Sequence, residues 1–131
     1  MNVRDLVTGS MRLLGVLRQG ENPTAQEAAD GMISLNGMLN AWILQGIDLE
    51  FLNFASLNDV IPYPDDHIPA FRYNLAVELA PECGVTVTPA IGTRASQYFQ
   101  ALQVFYSDPD TLEFDSFFIF QPNRRFLPQG F

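Results

Sequence analysis

At 131 residues the chain has room for one domain with a core of its own and little beyond it. Although 47% of the residues are apolar, no apolar run approaches the about eighteen residues of a membrane-spanning helix, and the first residues lack the apolar stretch of a secretory signal, so a soluble protein folded in a cytoplasm is expected. A net charge of −8, with 15 carboxylates against 7 basic residues, argues against tight nucleic-acid binding, and the single cysteine, Cys83, supplies neither an internal disulfide nor a zinc site.

In chain order, Val3, Leu6, Val7, Met11, Leu14 and Leu17 recur by threes and fours, which predicts a first helix from Asn2 to about Gln19, stopped by Gly20. Thr24 and Glu27 form a Thr-x-x-Glu capping box after the turn Gly20-Glu21-Asn22-Pro23, and open a second helix to about Gln45. Its stripe of Ala28, Met32, Leu35, Leu39 and Trp42 runs close to a heptad and predicts lengthwise packing against a partner helix.

Between Ile47 and Pro64 the helical period is lost. Short apolar bursts, Phe51-Leu52, Phe54, Leu57 and Val60-Ile61, predict a β-hairpin or a long loop with strand character. Asp65 and Asp66 are placed to cap a third helix, about Ile68 to Pro81, with Ile68, Phe71, Leu75 and Leu79 inward and Gly84 at its end. Thr88-Pro89 opens a fourth helix to about Ser107, carrying Ile91, Ala95, Tyr98, Leu102 and Phe105. The fold class expected is therefore all-α: a four-helix bundle with a β-hairpin-like loop between helices two and three. One core cluster is expected from Leu35, Leu39, Trp42, Phe71, Leu75, Leu79, Leu102 and Phe105.

After Asp108-Pro109-Asp110 the chain changes character. The division expected is a helical domain over 1–107 and an extended docking tail over 108–131, in which Phe114, Phe117, Phe118, Phe120, Phe126 and Phe131 are interspersed with Pro122 and Pro128. So many rings without helical or strand period point to burial by a neighbour. These six phenylalanines, with Arg124 and Arg125 between them as partners for carboxylates, are the candidate partner-binding residues.

Each chemically suggestive group has a plainer structural explanation. His67 beside Asp65 and Asp66 is a conceivable iron ligand or general base, but reads better as part of a polar helix-opening turn. Cys83 has no neighbouring base to make it a nucleophile and reads as a structural thiol. Glu27 with Asp30, and Glu78 with Glu82, sit at helical spacings that glycoside hydrolysis would use only if both carboxylates faced one cleft; a solvated face is the simpler account. Asn36 and Asn40, one turn apart, are expected to hydrogen-bond a neighbouring segment. No phosphate-binding loop or Ser-His-Asp set is present in the sequence. Catalytic residues, metals and cofactors are accordingly expected to be none.

Three segments carry a likeness. Leu14-Gly15-Val16-Leu17 followed by Gly20-Glu21-Asn22-Pro23-Thr24-Ala25 and Glu27-Ala28, then Leu35-Asn36-Gly37-Met38-Leu39-Asn40-Ala41-Trp42, then Tyr73 to Gly84, resemble the head-to-tail adaptors of short-tailed bacteriophages, also called tail accessory or packaged-DNA stabilisation proteins. The likeness spans roughly residues 5 to 105. It implies a helical bundle, about twelve copies in a closed ring under the phage portal protein, a tail nozzle or other tail protein docking below, and a place in the virion. Two features depart from the pattern: Cys83 stands where the family carries an aromatic residue, and the tail is unusually rich in phenylalanine. An acidic ring suits a conduit, since DNA passes through without the phosphate contacts that would slow ejection. The resemblance implies a non-enzymatic connector; the alternatives are a peptidoglycan hydrolase of the phage tail, or another virion protein-binding module.

Overall fold

A computed structural model describes residues 1–107; residues 108–131, including all eight candidate partner-binding residues, lie outside the described residues. The elements are α1 (Val3–Leu13), α2 (Ala25–Ile43), a 3-10 turn at Asp65–His67, α3 (Ile68–Cys83) and α4 (Pro89–Phe105). The four expected helices are present. The caps explain several boundaries: Thr24 and Glu27 bond each other's backbone N–H at 3.2 and 2.8 Å to open α2, and the Thr88 hydroxyl accepts the Ile91 N–H to open α4.

Helix α1 is shorter than its apolar period implies. Gly15, at φ 77°, turns the chain left-handed; its N–H bonds the Arg12 carbonyl and the Val16 N–H bonds the Met11 carbonyl, the paired bonds that close a helix. Leu17 is still buried, but from the loop after the helix.

Helix α3 packs against each of the other three. It buries Phe71, Leu75 and Leu79 together with Ala70, Ala76 and Ala80, a band wider than the single stripe of a helix with one neighbour. Side-chain clamps tie the bundle at specific points. The Ser10 hydroxyl donates to the Arg72 carbonyl at 2.9 Å, joining α1 to α3, and the Asn74 amide donates to the Ala95 carbonyl at 3.0 Å, joining α3 to α4.

The β-hairpin expected over 47–64 is not formed: among the described residues there is no strand, only an isolated antiparallel bridge between Asn2 and Val60. Ile47, Leu49 and Phe51 do alternate inward with exposed Asp48, Glu50 and Leu52, as a strand would. However, Glu50 takes a left-handed φ of 51°, and its N–H bonds the Asp48 carboxylate, so the extended run breaks before it can pair. Phe51 and Phe54 then both turn inward, three residues apart and edge to face at 5.1 Å, a spacing that a pleated strand does not allow.

The loop's backbone groups find other partners. Asn36 accepts the Phe54 N–H and donates to the Phe54 carbonyl, at 3.0 and 3.1 Å, while the Asp59 carboxylate takes the N–H groups of Ala55 and Ser56. The carbonyls of Asp59 and Leu57 accept the N–H groups of Val3 and Arg4, each at 3.0 Å. Apolar bursts that resemble strand sequence thus belong to a cap over the N-terminus of α1.

The core joins Leu35, Leu39, Trp42, Phe71, Leu75, Leu79 and Leu102 as expected, together with Val3, Leu6 and Val7 of α1. Trp42 sits between Phe71 and Phe99, with ring centroids 5.8 and 5.4 Å away. Phe105 is the exception, at 67% exposed on the last turn of α4.

Candidate docking surfaces

The fold brings a third carboxylate to the helically spaced pair Glu27 and Asp30. Glu27 and Asp30 of α2 and Glu82 of α3 line a space of about 380 Å3 with Gly31, Leu79 and Cys83. Each carboxylate has a structural partner: Glu27 the backbone of Thr24, Asp30 the Gln26 amide at 2.9 Å, and Glu82 the Ser34 hydroxyl at 2.9 Å. Burial pushes the Cys83 thiol above its ordinary range, and the Glu82 and Glu27 carboxylates add to that rise, which disfavours the thiolate. Glu78 is separated from Glu82 and lines a different groove, beside Trp42 and Phe99. The two carboxylates of that pair do not share a cleft.

His67 lies at the opposite end of α3 and is 2% exposed. Its Nδ1 meets the Asp66 carboxylate at 2.7 Å and its Nε2 the Tyr106 hydroxyl at 2.6 Å. A carboxylate only accepts, so Nδ1 is the donor to Asp66, and Nε2 shares a second hydrogen bond with the Tyr106 hydroxyl. Tyr63 stacks on the imidazole, while Phe71, Phe105 and Tyr106 approach it edge-on. Asp65 and Asp66 make no capping bond to α3, contrary to expectation. The work of Asp66 is to hold His67. Both tyrosines have raised pKa values, Tyr63 through burial and then the nearby Tyr106, and Tyr106 through burial and then the charge on Asp66.

Asn36 and Asn40 bond neighbouring segments as expected, Asn36 to Phe54 and Asn40 to the Asn53 side chain at 2.7 Å. Among the described residues, no group of three or more His, Cys, Asp or Glu side chains is arranged to hold a metal ion, and no helix is long and apolar enough to cross a membrane.

Two features escape the sequence reading. Leu44, Val104 and Phe105 are large apolar residues left 90%, 70% and 67% exposed. They share one end of the bundle, where the Gln103 amide donates to the Gln45 carbonyl at 3.0 Å and joins the ends of α4 and α2. The chain continues into its phenylalanine-rich segment from this end.

The second feature is Arg72, which lines a cavity of about 340 Å3 with Asp5, Gly9, Pro69, Tyr73 and Tyr98. Its Nε is buried without a hydrogen-bond partner among the described residues. The signal for it was present: Arg72 follows Ile68 by four positions and precedes Leu75 by three, so it interrupts an inward stripe. No family model matches the chain, and no curated protein matches it.

Proposed function

We propose that this chain is a head-to-tail adaptor of a short-tailed bacteriophage. It is a non-enzymatic structural protein that forms a ring of about twelve copies under the portal, closes the packaged-DNA channel and carries the tail components. The observation that carries this reading is the gathering of exposed Leu44, Val104 and Phe105 at the bundle end from which the phenylalanine-rich segment departs. Apolar side chains exposed at one end, continuous with a ring-rich segment, describe a protein that meets neighbours there. The resemblance supplies which neighbours: the portal and an adjacent copy on one side, the tail nozzle on the other.

Three further observations support it. The resembling segments contain residues that tie the bundle together: Asn36 holds the loop, Asn74 clamps α4, and Thr24 with Glu27 opens α2. Glu27 and Glu82, two of the carboxylates that a muralytic enzyme could use, already have structural partners. The acidic surface suits a channel through which duplex DNA slides with weak, salt-insensitive contact.

Imaging and mass measurement of the purified protein, alone and mixed with the portal, test the reading. The expected result is a monomer alone and a ring on the portal vertex. Absence of any portal complex, or clearing of a peptidoglycan gel that disappears when Glu27, Glu50, Glu78 or Glu82 is changed to Gln, overturns it.

A further inference from the structure

We propose that the bundle end bearing Leu44, Val104 and Phe105 docks a different protein, whose surface is apolar at its centre and carries arginines at its rim. One of those arginines enters the cavity beside Phe105 and reaches Asp66. This deepens the adaptor reading by giving the chemistry of a partner's face, but it rests on this end of the bundle alone.

Charge is distributed unevenly around the three exposed apolar side chains. The two segments that meet at this end, 43–71 and 95–107, carry Asp48, Glu50, Asp59, Asp65 and Asp66 and neither lysine nor arginine. Side-chain contacts tie four of these acids to the patch. Asp66, next to Asp65, bonds His67, whose ring lies 5.5 Å from that of Phe105. Tyr63 stacks on the same imidazole and donates its hydroxyl to the Leu49 carbonyl, between Asp48 and Glu50. All four acids are exposed, and no arginine among the described residues pairs with them. An apolar patch with a rim of one sign is complementary to a patch whose rim has the other.

Beside Phe105 the surface opens into a cavity of about 210 Å3, lined by Asp66, Tyr98, Ala101, Leu102 and Phe105. One Asp66 oxygen holds the His67 Nδ1 at 2.7 Å; the other makes no hydrogen bond among the described residues, and the side chain is 76% exposed. An accessible carboxylate beside two aromatic rings and aliphatic groups suits a guanidinium, which lays its flat face on a ring and keeps donors for the carboxylate. The space is smaller than an ordinary small-molecule site and fits a single side chain.

The same charges select the occupant. A twofold contact between copies through this end sets one acidic rim against another, and every other face of a copy belongs to a chain of net charge −8. The sequence that directly follows Ser107 adds Asp108, Asp110, Glu113 and Asp115 before any arginine, and so has the wrong sign as well. A separate protein with a basic rim answers both the charge and the exposed apolar side chains.

The test adds a fluorescein-labelled amphipathic helical peptide, with a leucine face flanked by arginines, to the full-length protein and reads anisotropy without portal. Saturable binding is expected at low salt, weakening as salt is raised. Asp66→Asn, which keeps the oxygen that holds His67, should weaken it about tenfold. Leu44→Ser with Val104→Ser should cost about tenfold, and Glu50→Gln with Asp65→Asn about fivefold. These four side chains are exposed, so the fold is not at stake in the last two variants. Asp30→Asn with Glu78→Gln removes the same charge elsewhere and should leave binding unchanged. Equal weakening by that control, no loss with Asp66→Asn or with Leu44→Ser and Val104→Ser, equal binding of a peptide with glutamate for each arginine, or no binding overturns the assignment. Binding that emerges only after residues 108–131 are removed gives the patch to the chain's own segment, and self-association that Leu44→Ser with Val104→Ser abolishes gives it to a second copy; either overturns the separate partner. Failure of the unaltered protein to meet the portal, with the peptide results as expected, counts against the adaptor and leaves this surface standing.

Discussion

Tyr106 and His67 meet through a 2.6 Å hydrogen bond that fastens the end of α4 to the beginning of α3. Because the imidazole is almost wholly enclosed, its Nε2 has no water to turn to when the phenol oxygen is removed. Tyr106→Phe keeps the ring packing and loses the bond, and is expected to cost about 1–3 kcal/mol, the penalty of one buried unsatisfied group. Denaturant unfolding of the full chain measures it, and an unchanged midpoint would mean that the bond does not form in solution.

Alkaline pH acts on the same corner. Burial favours the neutral phenols of Tyr63 and Tyr106 in the folded protein, so their folded pKa values lie above the unfolded ones. As pH rises, the unfolded state therefore releases its protons first and is favoured. The stabilising contribution is complete below the ordinary tyrosine value of about 10 and is lost as pH climbs through the raised folded values. Cys83 contributes a loss of the same sign. Melting temperature should fall on the alkaline side, and less steeply in Tyr63→Phe. A parallel decline in that variant would separate the effect from Tyr63.

Two glycines of α2 respond oppositely to one added methyl group. A Cβ at Gly31 would land on the Val7 side chain of α1, so Gly31→Ala must push two packed helices apart, an overpacking cost of about 1–3 kcal/mol. A Cβ at Gly37 meets nothing, and Gly37→Ala should stabilise by about 0.5–1 kcal/mol through helix propensity alone. Thermal melts of the two variants read the difference. Destabilisation by both would mean that the outer face of α2 is covered in solution.

What the sequence made legible follows from the distance between partners. The α2 and α4 caps join residues three apart, so Thr24-Glu27 and Thr88-Ile91 could be read locally. The Trp42 cluster was legible too, because heptad-like spacing aligns Leu35, Leu39 and Trp42 on one face; Trp42→Ala should cost about 3–5 kcal/mol, visible as a lower melting temperature. The loop was not legible. Its structure depends on Asn36 reaching Phe54 and on Asp59 reaching Val3, pairings that no local pattern encodes. Phe105 lies three residues beyond Leu102 and fits the period, but α4 ends there and the ring, met edge-on by His67, stays mostly exposed. The Arg72 cavity was half legible: the interruption of the α3 stripe could be seen, whereas Gly9 beneath it could not.

Removing residues 108–131 tests the division of labour between bundle and tail. The cluster around Trp42 and Phe71 is built from residues within 1–107, so the shortened protein should keep its helical circular dichroism. Assembly on the portal should be lost. The 24 residues removed carry six phenylalanines, so four backbones must be fixed for each ring buried. Fixing a backbone costs about 1–2 kcal/mol per residue, while a buried ring contributes about 1.5–3. The rings therefore cannot order the segment alone. On the adaptor proposal, main-chain bonds to a partner and pairing of Arg124 and Arg125 with its carboxylates are expected to supply the remainder, repeated around a ring so that modest contacts reinforce one another. Rings forming on the portal without the segment would remove it from the interface. Collapse of the helical signal would instead assign the phenylalanines to the domain's own core.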